Sequence, residues 1–242
     1  MKVFHAVALC TVAVAVSVSA FAQTIQVSKE NRTISVTATD KVTVMADIAT
    51  VHVGFIAYGP SSDAAYAAGS RTSNAIVKAL TGAGIPSESI QSENQSVAPV
   101  QNYEVEKLSD AEKAQRKFQV TQSWTVRTNA NEAAKVLDLA VKAGANQSGQ
   151  IDWSFKDENA PEAEAAAKAL KHARTQAEQM AQSLNAKLGV LLYASNEVQP
   201  SLIRPMMRAM AAPMGMEKVQ PLAINPREIE KSATVTAVFA IE

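Results

Sequence analysis

The sequence predicts an α+β protein in which helices pack on antiparallel sheets. Three observations lead there. Several stretches alternate apolar and polar residues with period two, as half-buried strands do. From Ile48 to Lys156 these stretches and two amphipathic helices follow the order β-α-β-β-α-β, the split βαβ arrangement. A long alanine-rich helix and a closing alternating strand complete the chain.

The first 22 residues stand apart from this fold. Lys2 precedes the apolar run Val3–Val18, and Ala20-Phe21-Ala22 supplies a small-residue cleavage site, which reads as a secretory signal peptide. A helix that spans the bilayer needs about 20 apolar residues. This run is shorter and contains His5, so the expectation is a periplasmic chain cleaved before Gln23, with no transmembrane span. Cleavage removes Cys10, the only cysteine, which also lacks the residues of a lipoprotein box around it. Disulfides, cysteine-ligated zinc, iron–sulfur clusters and thiol nucleophiles are then excluded from the mature chain. Cleavage also leaves 22 basic against 23 acidic side chains, with no basic field for nucleic acid.

Thr33–Thr39 and Ile48–Tyr58 alternate as strands, the second presenting Ala49, Val51, Val53 and Phe55 on one face and stopped by Gly59-Pro60. Ser61, Ser62 and Asp63 offer N-caps for a helix to about Leu80, with Ala65, Gly69, Thr72, Ile76 and Leu80 as its core face. Gly82 and Gly84 sit where a chain leaving a helix needs positive φ. Ser89–Tyr103 reads as a weaker strand with Pro99 near its end, and Glu104–Arg116 as a charged connector. Phe118–Arg127 alternates most clearly, burying Phe118, Val120, Gln122, Trp124 and Val126.

Asn129 or Asn131 is expected to cap a helix that carries Ala133, Val136, Leu137, Ala140 and Val141 and ends at Gly144. Its ending resembles that of the preceding helix, a weak structural duplication. Ile151, Trp153 and Phe155 mark another one-sided strand. Asn159 and Glu162 suggest a capping box for a helix of about 26 residues, ~39 Å long, with Ala163, Ala166, Ala167, Leu170, Ala173, Ala177, Met180, Ala181 and Leu184 as its apolar stripe. Val190–Ala194 reads as a short buried strand, and Ala233–Ile241 points Val235, Ala237, Phe239 and Ile241 inward. Between them, residues 199–227 hold five prolines and five methionines, which predicts a long irregular segment.

On these residues the chain resembles the SIMPL domain family of exported bacterial proteins, once a domain of unknown function. Ile34-Ser35-Val36, Ala46-Asp47-Ile48-Ala49, Gly84-Ile85, Ser89-Ile90-Gln91-Ser92 and Val97-Ala98-Pro99 carry the likeness. So do the stretch Leu137–Asn146, the alanines at 173, 177 and 181, and Leu188-Gly189. Coverage runs from Ile34 to Ile241. Ala38 and Asp40 replace glycines of the family pattern, Ala46 a proline, and Asn185 a glycine. The resemblance implies an α+β fold over residues 23–242, an envelope location, and, for some members, oxidative-stress links and oligomers. It carries no family-wide catalytic motif.

Nucleophile elbows, phosphate loops, HExxH and EF-hand patterns are absent from the sequence, so no catalytic, cofactor-binding or metal-ligating residue is assigned. His52 falls on the face opposite Val51, Val53 and Phe55, and His172 beside the apolar stripe of the long helix; both read as solvated surface residues. Asp47, just before a strand, suits a turn or cap. Met206, Met207, Met210, Met214 and Met216 admit Cu(I) binding, reversible oxidation or an adaptable apolar contact, with Arg204 and Arg208 opposing a cation. The expectation is a non-enzymatic periplasmic protein acting by binding or self-assembly, a homo-oligomer that can meet an envelope partner through 199–227, with a protective role in oxidative or envelope stress. The alternatives are a hydrolase-like enzyme using Asp47, His52 or a serine, and a weak Cu(I)-binding protein.

Overall fold

The computed structural model describes residues 32–197 and 221–242. Within them the chain runs β1 (Thr33–Met45), β2 (Ile48–Gly59), α1 (Ser62–Gly82), β3 (Ile90–Pro99), α2 (Asn102–Val105), α3 (Asp110–Gln115), β4 (Phe118–Asn129), α4 (Ala133–Lys142), β5 (Ile151–Ser154), α5 (Asn159–Ser183), β6 (Leu188–Glu197) and β7 (Glu228–Ile241). Two antiparallel sheets result. One has strand order β1-β7-β6, the other β3-β4-β2-β5. The protein is α+β, and the β-α-β-β-α-β order read from the sequence builds the second sheet.

Each sheet has its own helices and its own core. On the four-stranded sheet α1 packs over β2 and β4 with α4 beside it, and Val51, Val53, Phe55, Trp124 and Val126 meet Ile76, Leu80 and Val136 there. The rings of Phe55 and Trp124 stand 5.9 Å apart, tilted by 37°. Full burial of one such side chain contributes roughly 1.5–3 kcal/mol, so this layer dominates the stability of its half. On the three-stranded sheet α5 lies across β1 and β7, pressing Ala173, Ala177 and Ala181 on Ile34, Val36, Ala237 and Phe239.

The three long helices end alike. After α1 the amide of Gly84 donates to Thr81 O and that of Ile85 to Leu80 O; after α4, Gly144 donates to Val141 O and Ala145 to Ala140 O. After α5, Asn185 donates to Gln182 O and Ala186 to Ala181 O. All are Schellman motifs, which need a left-handed residue at the pivot. Gly84 and Gly144 have φ of 90° and 113°, and Asn185 holds φ at 51°. Asparagine tolerates that region better than other side chains, so it can serve at the pivot without a glycine.

Several local expectations are corrected. The first strand extends to Met45 because Val42 is buried and Met45 pairs with Glu228. The charged connector contains α2 and α3, the latter with a Ser109–Glu112 capping box. Neither Asn129 nor Asn131 caps α4: a 3-10 turn at Ala130–Glu132 leads in, without a side-chain cap. The Asn159–Glu162 box does not form either. Instead the Phe155 and Asn159 amides donate to Glu158 and Asp157, and Lys231 lies 3.4 Å from both Glu158 and Glu162, tying the start of α5 to β7. Val141 is exposed, as are Met180 and Leu184.

Candidate functional site

Among the described residues α1 and α4 cover one face of the four-stranded sheet. Because strand side chains alternate, the buried set Val51, Val53 and Phe55 sends Thr50, His52 and Ile56 to the other face. There β4 opposes Thr50, His52 and Ile56 with Arg127, Thr125 and Thr121. The result is a polar sheet face with a histidine near its middle.

Two carboxylates from flanking strands converge on that histidine. Nε2 of His52 is 2.7 Å from Asp152 Oδ2 on β5, and Nδ1 is 3.5 Å from Glu93 Oε2 on β3. Glu93 reaches it because β3 bulges between Ser92 and Asn94, where two β3 residues advance against one of β4. A bulge re-aims the side chain of the extra residue, and here the reach passes over β4 entirely. Asp152 raises the imidazole pKa above 6.5, foremost through its hydrogen bond; burial opposes this and Glu93 adds to it. His52 therefore sits on the predicted face, but as a paired, half-buried group and not a solvated one.

Each ring nitrogen thus faces a carboxylate, Nε2 closely and Nδ1 at longer range. Among the described residues no group of three or more His, Cys, Asp or Glu is arranged to hold a metal ion. Asp47 lies in the link between β1 and β2 and ties distant segments together, with no local turn or helix cap at its carboxylate: its Oδ1 accepts from the Lys156 amide at 2.8 Å and its carbonyl from the Ala130 amide at 2.9 Å. His172 is exposed beside the stripe of α5 and pairs with Asp40 at 3.0 Å. No signal in the sequence singled out Glu93 or Asp152, since cross-strand register is not written in one strand.

A second feature lies on the other sheet, where β6 forms an edge among the described residues. Two register shifts against β7, at Leu188/Leu191 and Leu191/Tyr193, break its alternation. Consequently Val190, Leu191, Leu192 and Tyr193 are all exposed, at 67%, 45%, 51% and 45%. The sequence reading of this stretch as a buried strand is overturned. An unbroken apolar run suits a strand covered on both faces; among the described residues α5 touches β6 and Leu188 packs on the core, but Val190–Ala194 stay open. Nearby, Met180 and Leu184 are exposed at the end of α5. Of the segment 199–227, only 221–227 fall within the described residues; Leu222 is exposed, while Ile224 packs against the core of the four-stranded sheet. The five methionines, and the leader at 1–22, lie outside them.

No helix of the described residues is long and apolar enough to cross a membrane. The SIMPL family model, described as a protein of unknown function, DUF541, matches residues 34–239. The chain is similar to the 26 kDa periplasmic immunogenic protein of Brucella melitensis, with 26% identity over 233 residues, covering 94% of this chain and 92% of that protein. The protein of the same name from Brucella abortus matches equally, at 26% over 233 residues, with 94% and 92% covered.

Proposed function

This chain belongs to the SIMPL family, and on that footing we propose that it is a non-enzymatic periplasmic protein that works by binding and self-assembly. The observation that carries this reading is the exposed apolar edge strand β6. Native edges are normally guarded by charge, proline or cover, and the other free edge of the same sheet follows that rule. β1 carries Asp40 and Lys41, and its outward face pairs Thr37 with Thr236 and Thr39 with Thr234. β6 carries no charge or proline from Leu188 to Asn196.

A second copy suits this edge. An antiparallel pairing about Leu192 sets leucine opposite leucine, and it brings position 187, a lysine, opposite position 197, a glutamate. Contiguous exposed apolar surface of this kind is characteristic of contact sites. The periplasmic location rests on the leader pattern and on the names of the two relatives. A protective role in oxidative or envelope stress, and an envelope partner at 199–227, are parts of the proposal that rest on the family resemblance and the segment's composition.

Replacing Leu192 by Lys in the full chain, followed by analytical ultracentrifugation and circular dichroism, tests the assembly. The variant should keep its fold, since an exposed side chain is exchanged, while the wild-type assembly dissociates. A wild-type chain that stays monomeric at tens of micromolar, or an assembly unchanged by the lysine, would overturn the proposal.

A further inference from the structure

We propose that His52 is a proton-operated latch that seats the outermost strand β3 on the four-stranded sheet. This inference is independent of the assembly reading, because it concerns the other sheet.

The geometry sets up the switch. A neutral imidazole has one N–H and one lone pair. The shorter contact, 2.7 Å to Asp152, claims the N–H at Nε2, which leaves the Nδ1 lone pair facing the Glu93 carboxylate at 3.5 Å. Two electron-rich groups then meet, and the β3 link is unfavourable. Protonation puts a second N–H on Nδ1, and the same pair becomes a charge-assisted contact.

The groups facing His52 from each neighbouring element are few. β3 supplies Glu93 and β5 supplies Asp152. β4 supplies Thr125 directly opposite and, one pair along, Arg127 opposite Thr50. The chain entering β5 supplies the Gln150 carbonyl, which accepts from the His52 amide at 2.9 Å. Arg127 is the one cation among them, and it is solvent-exposed. The balance favours the imidazolium.

β3 is the strand with most to gain. Residues Gln91–Val97 are exposed throughout, among the described residues β3 pairs with β4 alone, and its bulge removes one ladder position. A side-chain tie that crosses β4 to β2 therefore adds to a weakly held edge. The imidazole pKa is raised in the folded chain, so the tie is fully present below the unfolded value, near 6.5. It is lost as pH rises through the folded value. Acid seats β3 and alkali loosens it.

Two measurements on the full chain test the latch: NMR titration of the His52 ring, and amide exchange of β3 between about pH 5.5 and 8, corrected for intrinsic rates. The wild-type ring should titrate above 6.5, and β3 protection should fall several-fold across that range while β4 protection stays level. Glu93→Gln should lower the ring pKa and flatten the β3 profile, and Asp152→Asn should lower the pKa further. A wild-type ring that titrates at or below 6.5 would overturn the proposal, as would β3 protection that ignores pH or changes equally in Glu93→Gln.

Discussion

The side chain of Asn146 stands in for a neighbouring strand at Ile56. β5 pairs with β2 only from Ile48 to Val51, so β2 from Gly54 to Ile56 would face solvent on that side. The Asn146 Oδ1 accepts from the Ile56 amide at 2.8 Å and its Nδ2 donates to the Ile56 carbonyl at 3.0 Å. Its own amide and that of Gln147 donate to Gly54 O. The side-chain amide thus copies the donor and acceptor of a neighbouring strand. An amide suits this role because it places its donor and its acceptor on separate atoms, set apart like those of a strand. Asn146→Ala should cost about 1–2 kcal/mol in denaturant midpoint measurements, two modest hydrogen bonds being lost at an accessible site. Asn146→Asp should cost at least as much, since it keeps the acceptor and turns a donor into a charge against the carbonyl. Equal stability of the aspartate variant and wild type would show that the pairing is incidental.

At the scale of elements, α5 shows how packing chooses among alternatives that the sequence leaves open. Its buried residues are Pro161, Ala165, Ala169, Ala173, Ala177 and Ala181, a strict spacing of four. Each step of four residues overshoots a full turn by about 40°, so the buried line winds right-handedly around the helix, about 200° in five steps. Twisted strands supply a matching path. The helix holds so many alanines that a 3.6-residue stripe through Ala163 and Ala167 fits the sequence equally well; both are exposed in the fold. Ala177→Leu should therefore destabilise by about 1–3 kcal/mol through overpacking, whereas Ala167→Leu should stay within ~0.5 kcal/mol. Thermal melts of the pair would reverse the frame if Ala167→Leu proved the more damaging. The elements most legible in the sequence are those with one wet face: β2, β4, α1 and β7 carry a clear period, and most of their predicted core residues are buried, although Thr72, Phe118, Gln122 and Ile241 are only half-buried and Val238 is buried on the face read as wet. The strand β6 was located but misjudged, because bulges decide its exposure and depend on β7. Likewise, the site at His52 was legible only as to face. Its partners come from β3 and β5, brought together by register.

At the scale of the whole molecule, the four-stranded sheet is an insertion between β1 and α5. The chain enters it at Asp47 and leaves it at Lys156, and the Asp47 carboxylate bonds the Lys156 amide at 2.8 Å, so entry and exit share one point. Closely spaced ends and a private core mark a unit able to fold by itself. Residues 46–157 alone should give a cooperative thermal transition and dispersed amide resonances; a chain without tertiary structure would show that the packing of Ile224 and the bond from the Ala46 amide to the Arg227 carbonyl are indispensable. The three-stranded sheet has no such independence. Thr37 and Thr236 share a hydrogen bond across a separation of 199 residues, and every pair between β1 and β7 spans a comparable stretch. Closing so long a loop carries an entropic cost that grows with its length, and non-local pairing of this kind is slow. During synthesis β1 emerges early and waits, with α5 formed over half a floor, until the last fourteen-residue strand arrives. A chain that ends early keeps the inserted unit but exposes the apolar undersides of β1 and α5 together. The closing strand thus makes completion of the polypeptide a precondition for covering the apolar undersides of β1 and α5.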